Sequence, residues 1–332
     1  MGVRLSAIEY FLPKGTITNQ DLEKEFTDWN AKKIEDKTGI RIRHVAGDDE
    51  TALDLAYEAA TMVFKNILRE KVDFLLLCTQ SPDYFLPTSA CILQNKLGLR
   101  TDIGAIDFNQ GCSGFIYGLA VAKGLIQSGV ARHVLLITAE TYTKMIHPKD
   151  KGNRTIFGDG AAAVILEASE EDYLSEFVLG TDGRGFNNLF VPNGAFRNKY
   201  NPVAVETSDE NGSIRTENHL YMNGPEIFNF TISAVPQVLA KILEKNKTDL
   251  NHIDYVIFHQ ANKFMIEYLR KKIGIPPEKF YSNMLETGNT VSSTIPIALK
   301  DCLNRGILKK GDKVLLVGFG VGYSWGGTIL KL

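Results

Sequence analysis

Two apolar runs that recur at almost one interval constrain this chain more than any other feature. DFLLLCTQ at residues 73–80 is answered 181 residues later by DYVIFHQA at 254–261, and HVLLITAE at 133–140 is answered 180 residues later by KVLLVGFG at 313–320. A third pair lies between them: QGCSGFIYGLAVAKGLIQSG and ETGNTVSSTIPIALKDCLNRG align with Cys112 opposite Asn289, an interval of 177. Each member of that pair is a polar turn entering a helical pattern that starts with small residues and ends at a glycine. Three matches in one order predict a duplicated half. No Pro/Gly/Ser linker separates the copies, so residues 1–172 and 173–332 are expected to pack as one unit, with a seam near 170–180.

The repeated runs are apolar on both faces, as are GAIDFNQ (104–110) and AAAVILEA (161–168), and VRLSAIEYF reads as a first strand. Such runs suit strands covered by helices on each side. Residues 52–66, 113–128, 225–244, 263–273 and 293–305 carry the spacing of helices. The predicted class is α/β.

Among the 332 residues, 37 basic and 39 acidic side chains give a net charge of −2, with no Lys/Arg block. That balance removes the attraction on which nucleic-acid or anionic-membrane binding depends. Cys78, Cys91, Cys112 and Cys302 lie far apart and form no metal-ligand spacing. The N-terminus lacks the pattern of a secretory signal, and no segment approaches 18 uninterrupted apolar residues. A cytoplasmic, reducing compartment is expected, with no metal and no cofactor.

Cys112 follows a strand and a glycine and precedes Ser113, Gly114 and an apolar helix, which places its sulfur at a helix N-terminus where unpaired N–H groups favour the thiolate. The other cysteines read as small buried residues. His259 closes the strand DYVIF, and Asn289 stands opposite Cys112 in the other half, so a pseudo-twofold would bring all three to one crevice. A thiolate acting on a carbonyl needs both proton handling and oxyanion donors. GFGVGYSWGG (318–327) has neither the GxGxxG order nor a GK[ST] ending, so it reads as a glycine loop that brings a backbone N–H near Cys112 rather than as a nucleotide site. GDGAAAVIL (158–166) reads as tight packing.

QGCSGFIYGLA, FHQAN, TGNTVSSTIPIAL, FGDGAAAVIL and VGFGVGYSWG, in this order across essentially the whole chain, resemble the β-ketoacyl-acyl-carrier-protein synthase III family of the thiolase superfamily. The resemblance implies a five-layered αβαβα fold with internal duplication and a homodimer. It implies Cys112 as the acylated nucleophile, His259 and Asn289 on the thioester carbonyl of the extender, and the N–H groups of Cys112 and Gly320 as oxyanion hole. The reaction so implied is a decarboxylative Claisen condensation. An acyl thioester, of CoA or of a carrier protein, loads Cys112, and malonyl-acyl carrier protein then gives 3-ketoacyl-carrier protein, CO₂ and free thiol, in fatty acid or related polyketide synthesis.

Departures from the family cluster at its donor contacts. Lys33 and Lys37 stand where a Trp and an Arg are usual, with Trp29 displaced; Lys151 replaces an Arg; and Pro225 replaces an Asn. Arg and Lys are not interchangeable at stacked sites, so nucleotide recognition is expected to be lost while positive charge remains. Phe264 replaces the Arg that docks the carrier, beside Lys263, with Lys271 and Lys272 further on to meet an acidic partner. Leu86 replaces a Phe that reaches into the partner's acyl pocket, which predicts a donor longer or more branched than acetyl. The alternatives are an acyltransferase on the same scaffold forming an ester or amide, and a non-catalytic partner subunit that binds acyl-carrier protein.

Overall fold

In the computed structural model, residues 1–26, 28–65 and 67–332 are described. The strands are β1 (Gly2–Phe11), β2 (Gly15–Thr18), β3 (Ile42–Val45), β4 (Phe74–Cys78), β5 (Gly104–Phe108), β6 (His133–Glu140), β7 (Gly160–Ser169) and β8 (Val178–Thr181). They continue with β9 (Leu189–Phe190), β10 (Thr207–Ser208), β11 (Ile214–Arg215), β12 (Tyr221–Met222), β13 (Tyr255–Phe258), β14 (Phe280–Tyr281), β15 (Lys313–Gly320) and β16 (Ser324–Lys331). The helices are α1 (Asn19–Glu25), α2 (Ala31–Thr38), α3 (Ala52–Val63), α4 (Ser89–Lys96), α5 (Gly114–Gln127), α6 (Lys151–Arg154), α7 (Gly224–Lys245), α8 (Lys263–Ile273) and α9 (Thr294–Asn304).

Two five-stranded sheets repeat one topology. The first runs β1-β7-β6-β4-β5 and the second β8-β16-β15-β13-β14. In each, the first two pairings are antiparallel and the last two parallel. The registers also match: Leu77 pairs with Ile137 as Phe258 pairs with Val317, at the 181- and 180-residue intervals of the repeated runs. The seam at 170–177 is stitched to both sheets, since Tyr173 N donates to Val3 O and Lys331 N donates to Tyr173 O.

The doubly apolar strands have a simple cause. Leu76 and Leu136 point toward α5 and α9 together with Ile257 and Leu316 of the second sheet. Leu75, Leu77, Leu135 and Ile137 point the other way, onto α3 and α4. Val256, Phe258, Leu315 and Val317 meet α7 and α8. The layers are therefore α3/α4, sheet, α5/α9, sheet, α7/α8. Each fully buried Leu, Ile or Phe contributes about 1.5–3 kcal/mol, so Phe115, Ile116, Leu119 and Ile126 of α5 join the two sheets firmly. Gly118 lets α5 approach β6, for a Cβ there would lie 2.6 Å from a Leu136 methyl.

Helix α3 starts where its capping box sets it, with the Thr51 hydroxyl accepting from Asp54 N and the Asp54 carboxylate from Thr51 N. It ends at Val63, short of the expected 66, and Asn66 lies outside the described residues. The glycine-rich segment 318–327 is a correction: it is not a loop but the tight hairpin between β15 and β16, with Gly320 paired to Ser324. Alternating glycines hid a strand that needs no large side chains where it runs beneath α5 and α7.

Candidate active site

Cys112 ends the turn after β5 and sits just before the Ser113 cap of α5, 5% exposed. Gly320, at the end of β15, closes over it: a Cβ at that glycine would lie 2.8 Å from Sγ and 2.7 Å from the cysteine Cβ. The N–H groups that face the sulfur are those of Cys112 itself and of Val321. The second N–H at the sulfur is thus that of the residue after the expected Gly320. Gly320 supplies room and Val321 the N–H, because that peptide is the first to turn away from the β15–β16 ladder.

The expected thiolate is also corrected. Burial pushes the Cys112 thiol up to about 12, with the Glu140 carboxyl adding to the rise and the two N–H groups opposing it. Removal from water is the largest influence on this sulfur, so the group is held as a thiol that needs a base.

His259 follows β13 directly, its N–H held by Val317 O at 2.9 Å. Its ring is buried edge-on against Phe319, 5.6 Å between centroids, and Phe319 is the neighbour of Gly320. Burial holds its pKa down at about 3, so the imidazole is neutral. Nδ1 lies 2.7 Å from Thr294 Oγ1, whose hydroxyl donates to Val291 O at 3.1 Å. The hydroxyl proton is thus committed, Nδ1 carries the ring proton by this network, and Nε2 is left with a free lone pair.

Asn289 is fixed by its own turn. Its Oδ1 accepts from Val291 N at 2.9 Å, its backbone N–H bonds Ile156 O, and its carbonyl accepts from Gly158 N. Val291 adopts φ 54°, rare for a β-branched residue and a local strain that this turn imposes. With Oδ1 occupied, Nδ2 is the end of the amide free to donate, its one contact being a long 3.4 Å approach to Ala261 O. The turn is propped by Arg43, fully buried with no carboxylate partner among the described residues; it donates to Thr155 O and Asn19 Oδ1. Burial lowers its pKa to about 10.

A cavity of about 600 Å³ opens beside this turn, lined by Trp29, Lys33, Lys37, Ile156, Met222 and Phe264. Lys33 and Lys37 are exposed at its mouth. Lys151 is not available as expected: both Asp28 carboxylate oxygens take its ammonium, at 2.8 and 2.7 Å, and its side chain is only 14% exposed. Lys263 is exposed, with its stem against Gly39, which ends α2 at φ 72°. Phe264 stacks near Phe228, which also meets Tyr268, leaving an exposed aromatic face between Lys263 and Lys271. Lys272 lies on the same helix and donates to Ile232 O. Leu86 is 80% exposed, in a loop with Phe85.

Several site residues escaped the sequence reading. Glu140, Gln80, Tyr142, Ser292 and Thr294 sit around the three singled-out residues, and only the strand ends on which two of them stand gave any sign. Tyr142 donates to Gln80 Oε1 at 2.6 Å and packs on Phe157 in the same cluster as Cys112.

Comparison with known proteins agrees with this architecture. Residues 106–183 match the family described as 3-oxoacyl-[acyl-carrier-protein (ACP)] synthase III, and residues 243–332 match its C-terminal part. The chain is 38% identical over 325 residues to the beta-ketoacyl-[acyl-carrier-protein] synthase III of Clostridium perfringens, covering 97% of each. It is also 38% identical over 332 residues to that of Fusobacterium nucleatum, covering 99% of this chain and 98% of the relative. A crystal structure of a 3-oxoacyl-(acyl-carrier-protein) synthase III superposes with TM-score 0.98 at 47% identity over the whole of both chains. By fold, by family match and by relatives spanning its full length, the chain belongs to the 3-oxoacyl-[acyl-carrier-protein] synthase III family.

Proposed function

We propose that this chain condenses an acyl group with malonyl-acyl carrier protein through an acyl-Cys112 intermediate. The observation that carries the reading is the buried Cys112 thiol, faced by the N–H groups of Cys112 and Val321, in one cluster with the turn that bears Asn289 and the ring that packs on His259. In the first half-reaction His259 Nε2 takes the thiol proton as Sγ attacks the thioester, and the two N–H groups stabilise the oxyanion while the donor thiolate leaves. In the second, protonated Nε2 and Asn289 Nδ2 donate to the thioester carbonyl of the malonyl group as CO₂ departs. The enolate attacks the acyl carbon, and the proton returns to Cys112 as its C–S bond breaks. The step needs no metal or redox cofactor, since loss of CO₂ drives it.

Acyl carrier protein, an acyl thioester and a second copy of the chain are the proposed partners. β5 is an open edge of the first sheet with Ile106 45% exposed, and Phe85, Leu86 and Phe196 are exposed beyond it, as a covering second copy would require. Among the described residues no helix is long and apolar enough to cross a membrane, and the proposed compartment is the cytoplasm. The test is intact-protein mass spectrometry after incubation with a panel of acyl-CoA and acyl-carrier-protein thioesters, then malonyl-carrier protein with CO₂ detection. An adduct on Cys112 that clears with CO₂ release is expected. An adduct that persists and clears only with an added alcohol or amine would replace condensation with simple acyl transfer.

A further inference from the structure

Glu140 is a fully buried carboxyl group at the meeting of the two halves that the proposed reaction does not use, and its hydrogen bonds reach across both. It ends β6 at 0% exposure. Gln80 N donates to both its oxygens at 3.1 and 3.0 Å, Ser81 Oγ to Oε2 at 3.0 Å, and Ser292 Oγ to Oε1 at 3.3 Å. Gln80 leads onward to Asn109, just ahead of Cys112, and to the Tyr142 hydroxyl. Ser292 lies in the turn that runs from Asn289 to Thr294, the partner of His259. One carboxyl group is therefore bonded to the 80–81 segment, which Gln80 links to Asn109 ahead of the cysteine, and directly to the turn behind the histidine and asparagine.

We propose that Glu140 is a positioning residue for condensation: it clamps the cysteine-bearing and His/Asn-bearing halves of the site together. The proposal rests on the condensing role assigned to those residues above. Burial, against the opposing hydrogen bonds from Gln80, Ser81 and Ser292, pushes Glu140 up to about 8. At neutral pH the clamp is mostly uncharged, and above pH 8 it becomes an anion facing a thiol that must itself become one. The other titratable groups around it are Cys78 at the end of β4, Tyr142, and Asp159 before β7. Burial holds the Cys78 thiol and the Tyr142 phenol well above their ordinary values. Asp159 is anchored by Thr143 N and Ala46 N with Lys144 nearby, and from the second half the Ser292 hydroxyl reaches Glu140. Glu140 is thus the group whose charge changes around pH 8 beside the sulfur.

The experiment is the rate of iodoacetamide alkylation of Cys112 from pH 6 to 10, by mass spectrometry, in the wild type, Glu140→Gln and Glu140→Asp. In the wild type the log rate should rise with pH, pause near pH 8 and rise again, offset by about tenfold, one unit of thiol pKa. Glu140→Gln should rise without the pause and exceed the wild type by nearly that margin at pH 10, and Glu140→Asp should restore the pause. A merely structural role would move none of these shapes. Identical profiles in wild type and Glu140→Gln would overturn the proposal while leaving the condensing reading intact; failure of wild-type Cys112 to alkylate at any pH would instead remove the nucleophile itself. If Glu140→Gln does not fold, Ser292→Ala cuts the clamp from the second half only. It should keep the pause and slow CO₂ release relative to acylation, and equal slowing of both would count against the clamp.

Discussion

The two sheets end differently at the same place. Residue 140 closes β6 and residue 320 closes β15, equivalent positions in matched registers. Each strand end lies against the turn that starts a central helix of the opposite half: Gly320 against Cys112 before α5, Glu140 against Ser292 before α9. On one side the position has no side chain, and the sulfur fills the space. On the other the position carries a carboxyl group that reaches across and bonds. One scaffold is built twice, and the proposed chemistry divides between the copies, with the proposed nucleophile where the neighbour is absent and the proposed carbonyl-binding groups where the neighbour is a carboxyl group.

The largest effect should separate those two sides. Cys112→Ala is expected to abolish the acyl adduct and all condensation. Asn289→Ala should keep the adduct and slow CO₂ release about 10²–10³-fold, the usual cost of one donor to a developing oxyanion. Adduct mass and CO₂ evolution measured on both variants decide it, and loss of the adduct in Asn289→Ala would mean that the two half-sites are not divided as described.

Next comes Gly320→Ala, which gives the β15 end a side chain like its counterpart. The added methyl would lie 2.8 Å from Sγ, so the sulfur must shift. Displacements of that size cost about 10²-fold in rate, with overpacking costing about 1–3 kcal/mol in stability. Acylation should fall far more than the melting temperature. An unchanged acylation rate would show that Sγ has room the geometry denies it.

Much of this comparison was legible in the sequence, and for a physical reason. Short β-rich runs apolar on both faces suit buried strands, so the repeated pairs near 180 residues apart exposed both the class and the duplication, and the alignment of Cys112 with Asn289 found two helix starts. Glu140 was hidden because a single acid at a strand end looks like any strand terminus; only the folded turn brings Ser292 to it. β16 was hidden because its glycines, packed under Ile116 and Ile242, erase the alternation by which strands are read. Lys151 was misread because Asp28, which takes its charge, is distant in sequence and unremarkable in type.

The halves should also respond oppositely to pH. Glu140, raised from 4.5 to about 8, contributes stability that is fully present below its unfolded pKa and lost as pH rises through 8. His259, lowered from 6.5 to about 3, contributes stability present above 6.5 and lost as pH falls toward 3. Each amounts to a few kcal/mol by linkage. Melting temperatures at pH 4, 7 and 9 should show Glu140→Gln removing a loss that begins near pH 4.5 and is complete just above pH 8, and His259→Gln removing one that begins below pH 6.5 and grows toward pH 3. The same loss in both variants at either extreme would place the titrating group elsewhere.

The smallest effect concerns two lysines near the cavity, which differ in company and in exposure. Lys37 is exposed at the rim, whereas the Lys151 ammonium is neutralised by Asp28. A charge that is free meets an acidic carrier at long range and sets the encounter rate, an effect that salt screens. A charge already paired presents almost no field. Lys37→Glu should therefore slow condensation with malonyl-carrier protein by a few-fold at low ionic strength and flatten its salt dependence. Lys151→Ala should keep the wild-type salt dependence and cost at most about 1 kcal/mol of stability, as partly exposed pairs do. If the two variants lose the same salt-dependent rate, Asp28 releases Lys151 when the carrier arrives, and the entrance carries more positive charge than the unbound structure displays.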